Sequence, residues 1–531
     1  MRFKIRFNLR GKKRDRETQE GQMKKQLVNV NEELKKRKLT KKIFRDFYPV
    51  NPPFGYVGIE VDKRTGKFKY LCIEPTLSED ERKVLNELKQ LLREETNAPL
   101  HVLKNDALLA EYLEKRTRET IKKFGLRIPE EAIAKITYYL KRDFLGYGKI
   151  DILIRDPNIE DISCNGANIP IFVWHRRFES LPTNIKFDTQ EELDAFIVRL
   201  AYKTGHQISV SRPILEGTLP EGFRAHLTLN EVSKRGDTFT IRKIKADPYT
   251  IVDLIKFGTL SPQMAAYFWV LIENLRSIII AGATASGKTS LLNAISTFIV
   301  PEMKVVTIEE VRELRLHDNW IPMVARPSLQ PGVQEVTLFD LLKSSLRQRP
   351  DYIIVGEVRG EEAYTLFQSI SVGHGGLCTI HAESIDAVLK RLQTTPMNIP
   401  LMLIPLMNVV VLISRTKVNG EIVRRVMDIS EIVGVDEEKS QVILQKMYKW
   451  NRAEDNFTFC LDDPKKSAIF KKIAVLRHVS VESLVEEMQN REKVIRWMVH
   501  KNLRSYEVVS KIVGDYYLKP KEILNRVRLE L

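Results

Sequence analysis

Apolar and polar positions change their period several times along the chain. Residues 1–45 are charged and carry little apolar periodicity, so only partial order is expected there. From residue 47 the pattern alternates: YVGIEV (56–61) and FKYLCIEP (68–75) read as strands around the turn DKRTG. A helix follows, with Ser78 placed as its N-cap and Glu81 three residues on, the spacing of a capping box. Its apolar positions Val84, Leu85, Leu88, Leu91 and Leu92 recur at helical spacing. Further helices are predicted over 107–123 and 129–145.

A mixed α/β stretch occupies 146–246. IEDISCNG and PIFVWH read as strands, 190–204 as an amphipathic helix, and AHLTLNEV and FTIRKI as two more strands. ADPYTIVDLIKFGTL then reads as a linker. From 261 to 435 short apolar runs alternate with helical patterns. Strands are predicted at 277–281, 305–308, 352–355, 377–380 and 409–413, and helices at 289–299, 337–347 and 361–371. Repeated βα units imply a parallel sheet covered on both faces. The last stretch reads as a few strands, then helices. The expected domains are therefore 1–45, a basic arm; 46–145, strands and helices; 146–246, a small α/β domain; 247–260, a linker; 261–435, the main α/β domain; and 436–531.

Composition adds limits. A chain of 531 residues is too long for one ordinary core. With 43% hydrophobic and 29% charged residues it has a normal globular balance. The apolar stretch 399–413 contains Pro400, Pro405 and Asn408 and falls short of the ~20 residues a spanning helix needs. It reads as a buried helix end plus a strand. Four well-separated cysteines, Cys72, Cys164, Cys378 and Cys460, form no CxxC pair, which argues against zinc and disulfides and fits a reducing cytoplasm. The basic start MRFKIRFNLRGKKR lacks an apolar core, so no signal peptide is expected.

Charge is unevenly placed. The net is +16, and residues 1–50 hold 17 Lys and Arg against 6 Asp and Glu, an excess of +11. A basic arm on a near-neutral body suits anionic lipid, an acidic partner or nucleic acid; a simply solvated arm has the same composition.

The strongest local signal is GATASGKT, 282–289, between a predicted strand and a predicted helix. Glycines let backbone N–H groups wrap phosphates, Lys288 balances β/γ-phosphate charge, and the Thr289 hydroxyl ligates Mg2+. Gly282, Ala283, Thr284, Ala285, Ser286, Gly287, Lys288, Thr289 and Ser290 are the candidate ATP-binding residues. Glu309, Glu310 and Glu313 follow the strand KVVTI, at the carboxyl end where parallel sheets bind ligands. A carboxylate there can polarise an attacking water. RPDYIIVGEVRG resembles a Walker B strand with Glu357 where Asp is usual, either in the Mg2+ shell or orienting the nucleophile. GHGGLCTIHAES places His374 and His381 on either side of a short strand. At least one is expected to sense the γ-phosphate; a metal role lacks a third ligand of convincing spacing.

In this order the motifs resemble the secretion-motor ATPase superfamily of type II secretion, type IV pilus and type IV secretion systems. They correspond to a Walker A, an Asp box (VTIEEVREL), a Walker B ending in GE and a His box (GHGGLCTIH). The similarity spans roughly 48–531, and the text IEDISCNG, GTLPEGFRAHLTL, SLRQRPDYIIVGEVRGEEA and YEVVSKIVGDYYLKPKEIL looks like the archaeal archaellum and pilus motors. The resemblance implies a RecA-like P-loop C-terminal domain, preceded by a smaller α+β domain and a helical N-terminal region. It implies a homo-hexamer, a polytopic membrane platform protein as partner, and a cytoplasmic location against the inner face of the membrane. It also implies that Arg224 (in LPEGFR) and Arg242 (in FTIRK) reach a neighbour's γ-phosphate. The family writes IED where this chain has IEE, so Glu309 keeps the catalytic position and Glu310 is a longer acid than usual. The basic residues crowd into one arm rather than lining the ATPase domain, which argues against the alternative, a nucleic-acid translocase of the same fold.

Overall fold

The computed structural model describes residues 44–62, 65–94, 106–123, 129–243, 248–326 and 334–530. Most of the basic arm, residues 1–43, thus lies outside the described residues. The chain divides into two compact units at residue 244.

In the first unit, β1 (Phe44–Asn51), β2 (Gly55–Val61) and β3 (Phe68–Ile73) form an antiparallel sheet in sequence order. β1 starts within the segment read as the arm: its burial pattern shows only one clearly outward position in four, Arg45 and Pro49, without clean alternation. α1 (Glu79–Glu94) begins with the expected reciprocal cap, Ser78 N donating to Glu81 Oε2 (2.7 Å) and Glu81 N to Ser78 Oγ (3.2 Å). Its Val84, Leu85 and Leu88 pack with Ile121 of α2 (Asp106–Lys123) and Ile133, Ile136 and Leu140 of α3 (Glu130–Phe144).

An antiparallel six-stranded sheet follows. It contains β4 (Ile159–Cys164), β5 (Phe172–His175), β6 (Glu179–Pro182), then α4 (Gln190–Lys203), β7 (Ile214–Thr218), β8 (Arg224–Thr228) and β9 (Thr238–Arg242), in the order β6-β5-β4-β9-β8-β7. Sequence pattern missed β6 and β7, the two edge strands, which are too short and too polar to alternate visibly. One face of the sheet packs on Leu193, Ile197 and Leu200 of α4. Val57, Ile59, Tyr70 and Cys72 of the small sheet join that same core. Tyr48 and Tyr70 also donate to Asp156 Oδ2, at 2.7 and 2.6 Å. The expected boundary at 145/146 is therefore crossed by one continuous core.

The second unit opens with α5 (Ile251–Lys256) and α6 (Pro262–Glu273). Ile251, Val252 and Leu254 of α5 are buried in the main core. Six residues of the stretch read as a linker thus form a packed helix: its short apolar cluster is core, disguised by flanking Pro and Gly. A nine-stranded sheet is built from β10 (Ile278–Ala281), β11 (Val305–Glu309), β12 (Trp320–Val324), β13 (Tyr352–Val358), β14 (Gly375–Ile380), β15 (Val409–Val418), β16 (Glu421–Asp436), β17 (Gln441–Asn451) and β18 (Asn456–Phe459). The order is β12-β11-β13-β14-β10-β15-β16-β17-β18, parallel through β15 and antiparallel beyond. Pro322 in β12 is tolerated because that strand is the sheet edge.

Alternate residues of the parallel strands feed opposite faces. Ile278, Ile280, Val305 and Ile354 meet α6, α7 (Lys288–Ser296) and the C-terminal helices. Ile279, Val306, Ile353 and Cys378 meet α8 (Leu338–Ser345), α9 (Glu362–Ser371) and α10 (Ile385–Gln393). The expected boundary at 435/436 is absent. β16 runs through it, and α11 (Ala468–Arg477), α12 (Val481–His500), α13 (Tyr506–Leu518) and α14 (Pro520–Glu530) bury apolar residues in the same core. No described helix is long and apolar enough to cross a membrane. The 399–413 stretch is a 3-10 turn at Leu401–Leu406 leading into β15.

Candidate nucleotide site

Four fully buried residues make β10, and the chain must then turn sharply into α7. Gly282 is obligatory at that turn: a Cβ there would lie 2.4 Å from both Ile413 O and Ser286 Oγ. Gly287 caps α7 with φ of +100°, and Ala285 also takes a left-handed φ, +60°. The first N–H groups of α7, a helix of nine residues, have no helical acceptor and face the loop, with the positive end of the helix dipole behind them. Lys288 Nζ donates to Gly282 O (3.0 Å) and Ala283 O (3.2 Å), crossing the loop it would close over phosphates. Burial lowers its pKa, and the Glu357 carboxylate opposes that shift. Thr289 and Ser290 sit half-buried in the first turn. Ser286 Oγ is buried and has no partner among the described residues.

β11 ends on Glu309, 2% exposed. Its Oε1 accepts from the backbone of Glu313 (2.9 Å) and Leu314 (3.1 Å), whereas its buried Oε2 has no partner among the described residues. Burial, partly countered by the two N–H donors, pushes this carboxyl up to about 7. The carboxylate stem lies against Gly356, where a Cβ would come within 3.3 Å of Glu309 Cγ. Thr379 Oγ1 of β14 donates to Gly356 O (2.6 Å) and pins the irregularity in β13 that carries Glu357. Glu357 pairs with Arg359 (2.6 Å), whose other arm reaches Glu310 (3.1 Å).

The two histidines separate. His381 follows the carboxyl end of β14, and its Nε2 lies 3.2 Å from Thr284 Oγ1 in the loop. His374 precedes the amino end of β14, with Nδ1 2.6 Å from Pro350 O. Six strand residues at ~3.3 Å each put it about 20 Å away, at the opposite edge of the sheet. His374 is therefore not brought to the loop. This much could have been read from the sequence, since two residues flanking a strand cannot share one sheet edge.

Arg224 and Arg242 lie in the first unit as directly opposed residues of β8 and β9. Arg224 pairs with Glu216 (2.9 Å) of β7 and Arg242 with Asp161 (2.9 Å) of β4, so each of the two opposed arginines is held by a carboxylate on the flanking strand.

The second unit thus holds backbone donors, one lysine, the hydroxyls of Ser286 and Thr289, and two acids around the carboxyl ends of β10, β11 and β13. These strands sit where the order reverses, with β11 to one side of β10 and β15 to the other. The donor set fits a nucleotide triphosphate with a divalent cation: Thr289 and Glu357 are the oxygens available to the metal, and Ser286 Oγ and Glu309 Oε2 are buried polar atoms still without a partner. The model for type II/IV secretion system proteins matches residues 145–454. The chain belongs to this family, the type II/IV secretion ATPases. An uncharacterized protein of Methanocaldococcus jannaschii is 34% identical over 518 residues, covering 93% of this chain and 92% of that one. A type IV secretion system protein, the PtlH homolog of Bordetella bronchiseptica, is 30% identical over 236 residues, 40% of this chain and 70% of that one. Among solved structures, the VirB11 ATPase of the Brucella suis type IV secretion system is 25% identical, covering 52% of this chain and 92% of that one, with a TM-score of 0.28.

Three residues of this secretion ATPase escaped sequence reasoning: Arg359, Thr379 and Arg424, the last donating from β16 to Ala285 O (3.1 Å). Arg359 stood within the quoted GEVRG text, but its partner Glu310 is 49 residues away. Thr379 likewise stood within the quoted GHGGLCTIHAES text, but its acceptor Gly356 is 23 residues away; for Arg424 no local signal exists.

Proposed function

We propose that this secretion ATPase hydrolyses Mg-ATP as a subunit of a hexameric ring that drives assembly of a type IV pilus-like filament, archaellum or secretion pseudopilus. The supporting observation is Glu309: a buried carboxyl, aimed by two backbone donors, with one oxygen left over and a proton affinity poised near neutrality. That is what a general base for water requires. Lys288 and the first-turn N–H groups hold the β/γ-phosphates, and the cation, when bound by Thr289 and Glu357, neutralises charge developing on the phosphoryl oxygens. His381 reports the γ-phosphate through Thr284. Arg224 and Arg242 act on a neighbouring subunit's nucleotide. The partner is a membrane platform protein at the cytoplasmic face, and residues 1–45 bind anionic headgroups there.

Single-turnover hydrolysis tests the reading. Glu309→Gln should retain Mg-ATP and stall before cleavage; normal cleavage would move the base elsewhere, with Glu310 the next candidate.

A further inference from the structure

We propose that Arg424 is a positioning residue for the phosphate loop, holding Ala285 in the left-handed conformation that directs the loop's N–H groups toward the nucleotide. The inference rests on the phosphate-loop reading above.

Ala285 is the one residue of the loop that adopts positive φ without being glycine. An L side chain disfavours that region by about tenfold or more relative to glycine. Something outside the loop must hold it, and the structure supplies one donor: Arg424 Nε, 3.1 Å from Ala285 O. The same side chain crosses the loop's second left-handed residue, since a Cβ on Gly287 would meet Arg424 Cδ at 3.2 Å.

The support behind Arg424 is stiff. β15 and β16 are joined by the two-residue turn Asn419–Gly420, both at positive φ (+50° and +82°), the arrangement that matches strand twist. Arg424 faces Arg415 in that hairpin. Ile413, on the same hairpin, contacts the loop's other end at Gly282. Loop conformation is therefore set by β15–β16 from both sides, and nucleotide affinity depends on a strand pair that carries none of the family motifs.

The test is MgADP affinity of the full chain, read with a fluorescent ADP analogue. Arg424→Met keeps the aliphatic stem over Gly287 and loses the donor. It should weaken MgADP by about tenfold, the weight of one hydrogen bond from a charged group. Adding Ala285→Gly, which accepts positive φ unaided, should restore most of that loss. Wild-type affinity in Arg424→Met overturns the proposal. So does a defect that Ala285→Gly leaves untouched, because Arg424 would then act on the nucleotide or on stability rather than through the loop. Lys288→Ala serves as the reference. If it binds MgADP normally, the phosphate-loop reading itself fails; if it does not bind while Arg424→Met binds normally, only the Arg424 role fails.

Discussion

Arg359 and Glu357, two residues apart at the end of β13, form a 2.6 Å ion pair, and the same guanidinium reaches Glu310 at 3.1 Å. The longer acid at position 310 thus has a partner: an aspartate there would fall one methylene short. Arg359 and a cation shell compete for Glu357. Arg359→Gln should lower the Mg2+ concentration needed for ADP binding by up to about fivefold, since a part-exposed pair is worth ~1 kcal/mol at most. Glu310→Asp should shift it in the same direction by less. A Mg2+ titration of ADP affinity decides it; a raised Mg2+ requirement in Arg359→Gln would mean that Arg359 orients Glu357 rather than restraining it.

Lys288 now donates to two loop carbonyls and in the bound state would donate to phosphate. Lys288→Ala should abolish turnover and weaken ATP by about 10–100-fold, the loss of a charge-assisted bond. Equilibrium binding and steady-state phosphate release check it. Wild-type turnover in this variant would remove the site assignment.

Glu309 also predicts a pH effect on stability. Its folded-state pKa, about 7, lies above its ordinary value of 4.5. The fold therefore favours the protonated form. That contribution is complete below the ordinary pKa and is lost as pH rises through about 7. At ~1.36 kcal/mol per pKa unit the loss is on the order of 3 kcal/mol. Glu309→Gln, which carries no charge to bury, should melt near the wild type at pH 5 and above it at pH 8. Parallel melting curves across that range would contradict the buried, protonatable carboxyl.

Arg224 and Arg242, paired across β8 and β9, are proposed to act in trans. A fixed guanidinium at the γ-phosphoryl oxygens is worth on the order of 10³–10⁵ in rate. Arg242→Ala or Arg224→Ala subunits mixed with Lys288→Ala subunits, each inactive alone, should recover part of the activity. Mixed rings without recovery would exclude cross-subunit sharing by these residues.

Helix boundaries were legible where the signal was local. The Ser78/Glu81 cap, the 190–204 helix and every parallel strand of the second unit except edge strand β12 were read within a few residues. β12 failed because Pro322 interrupts it, and β6 and β7 because short edge strands need neither alternation nor β-branched residues. Domain boundaries failed for a different reason. The 247–260 stretch looks like punctuation in composition and 436–531 like a separate set of strands and helices, yet α5 and the helices α11 to α14 bury apolar residues in the main core. A segment of five or six apolar residues becomes core or linker according to what packs on it.

The strand–loop–helix around Gly282–Thr289, the alternation of strands and helices, and the placement of Glu309 and Glu357 at strand ends were legible in sequence alone. Each rests on residues within a few positions of one another, where φ, spacing and hydrogen-bond capacity are set locally. What only the tertiary structure decided is which distant groups meet. Insertion of β13 and β14 between β11 and β10 sets Glu309 against Gly356, and the β15–β16 hairpin lays Arg424 over Ala285. The burial that lifts Glu309 to about 7 comes from that packing, because desolvation is a property of everything around a carboxyl and not of its neighbours in the chain.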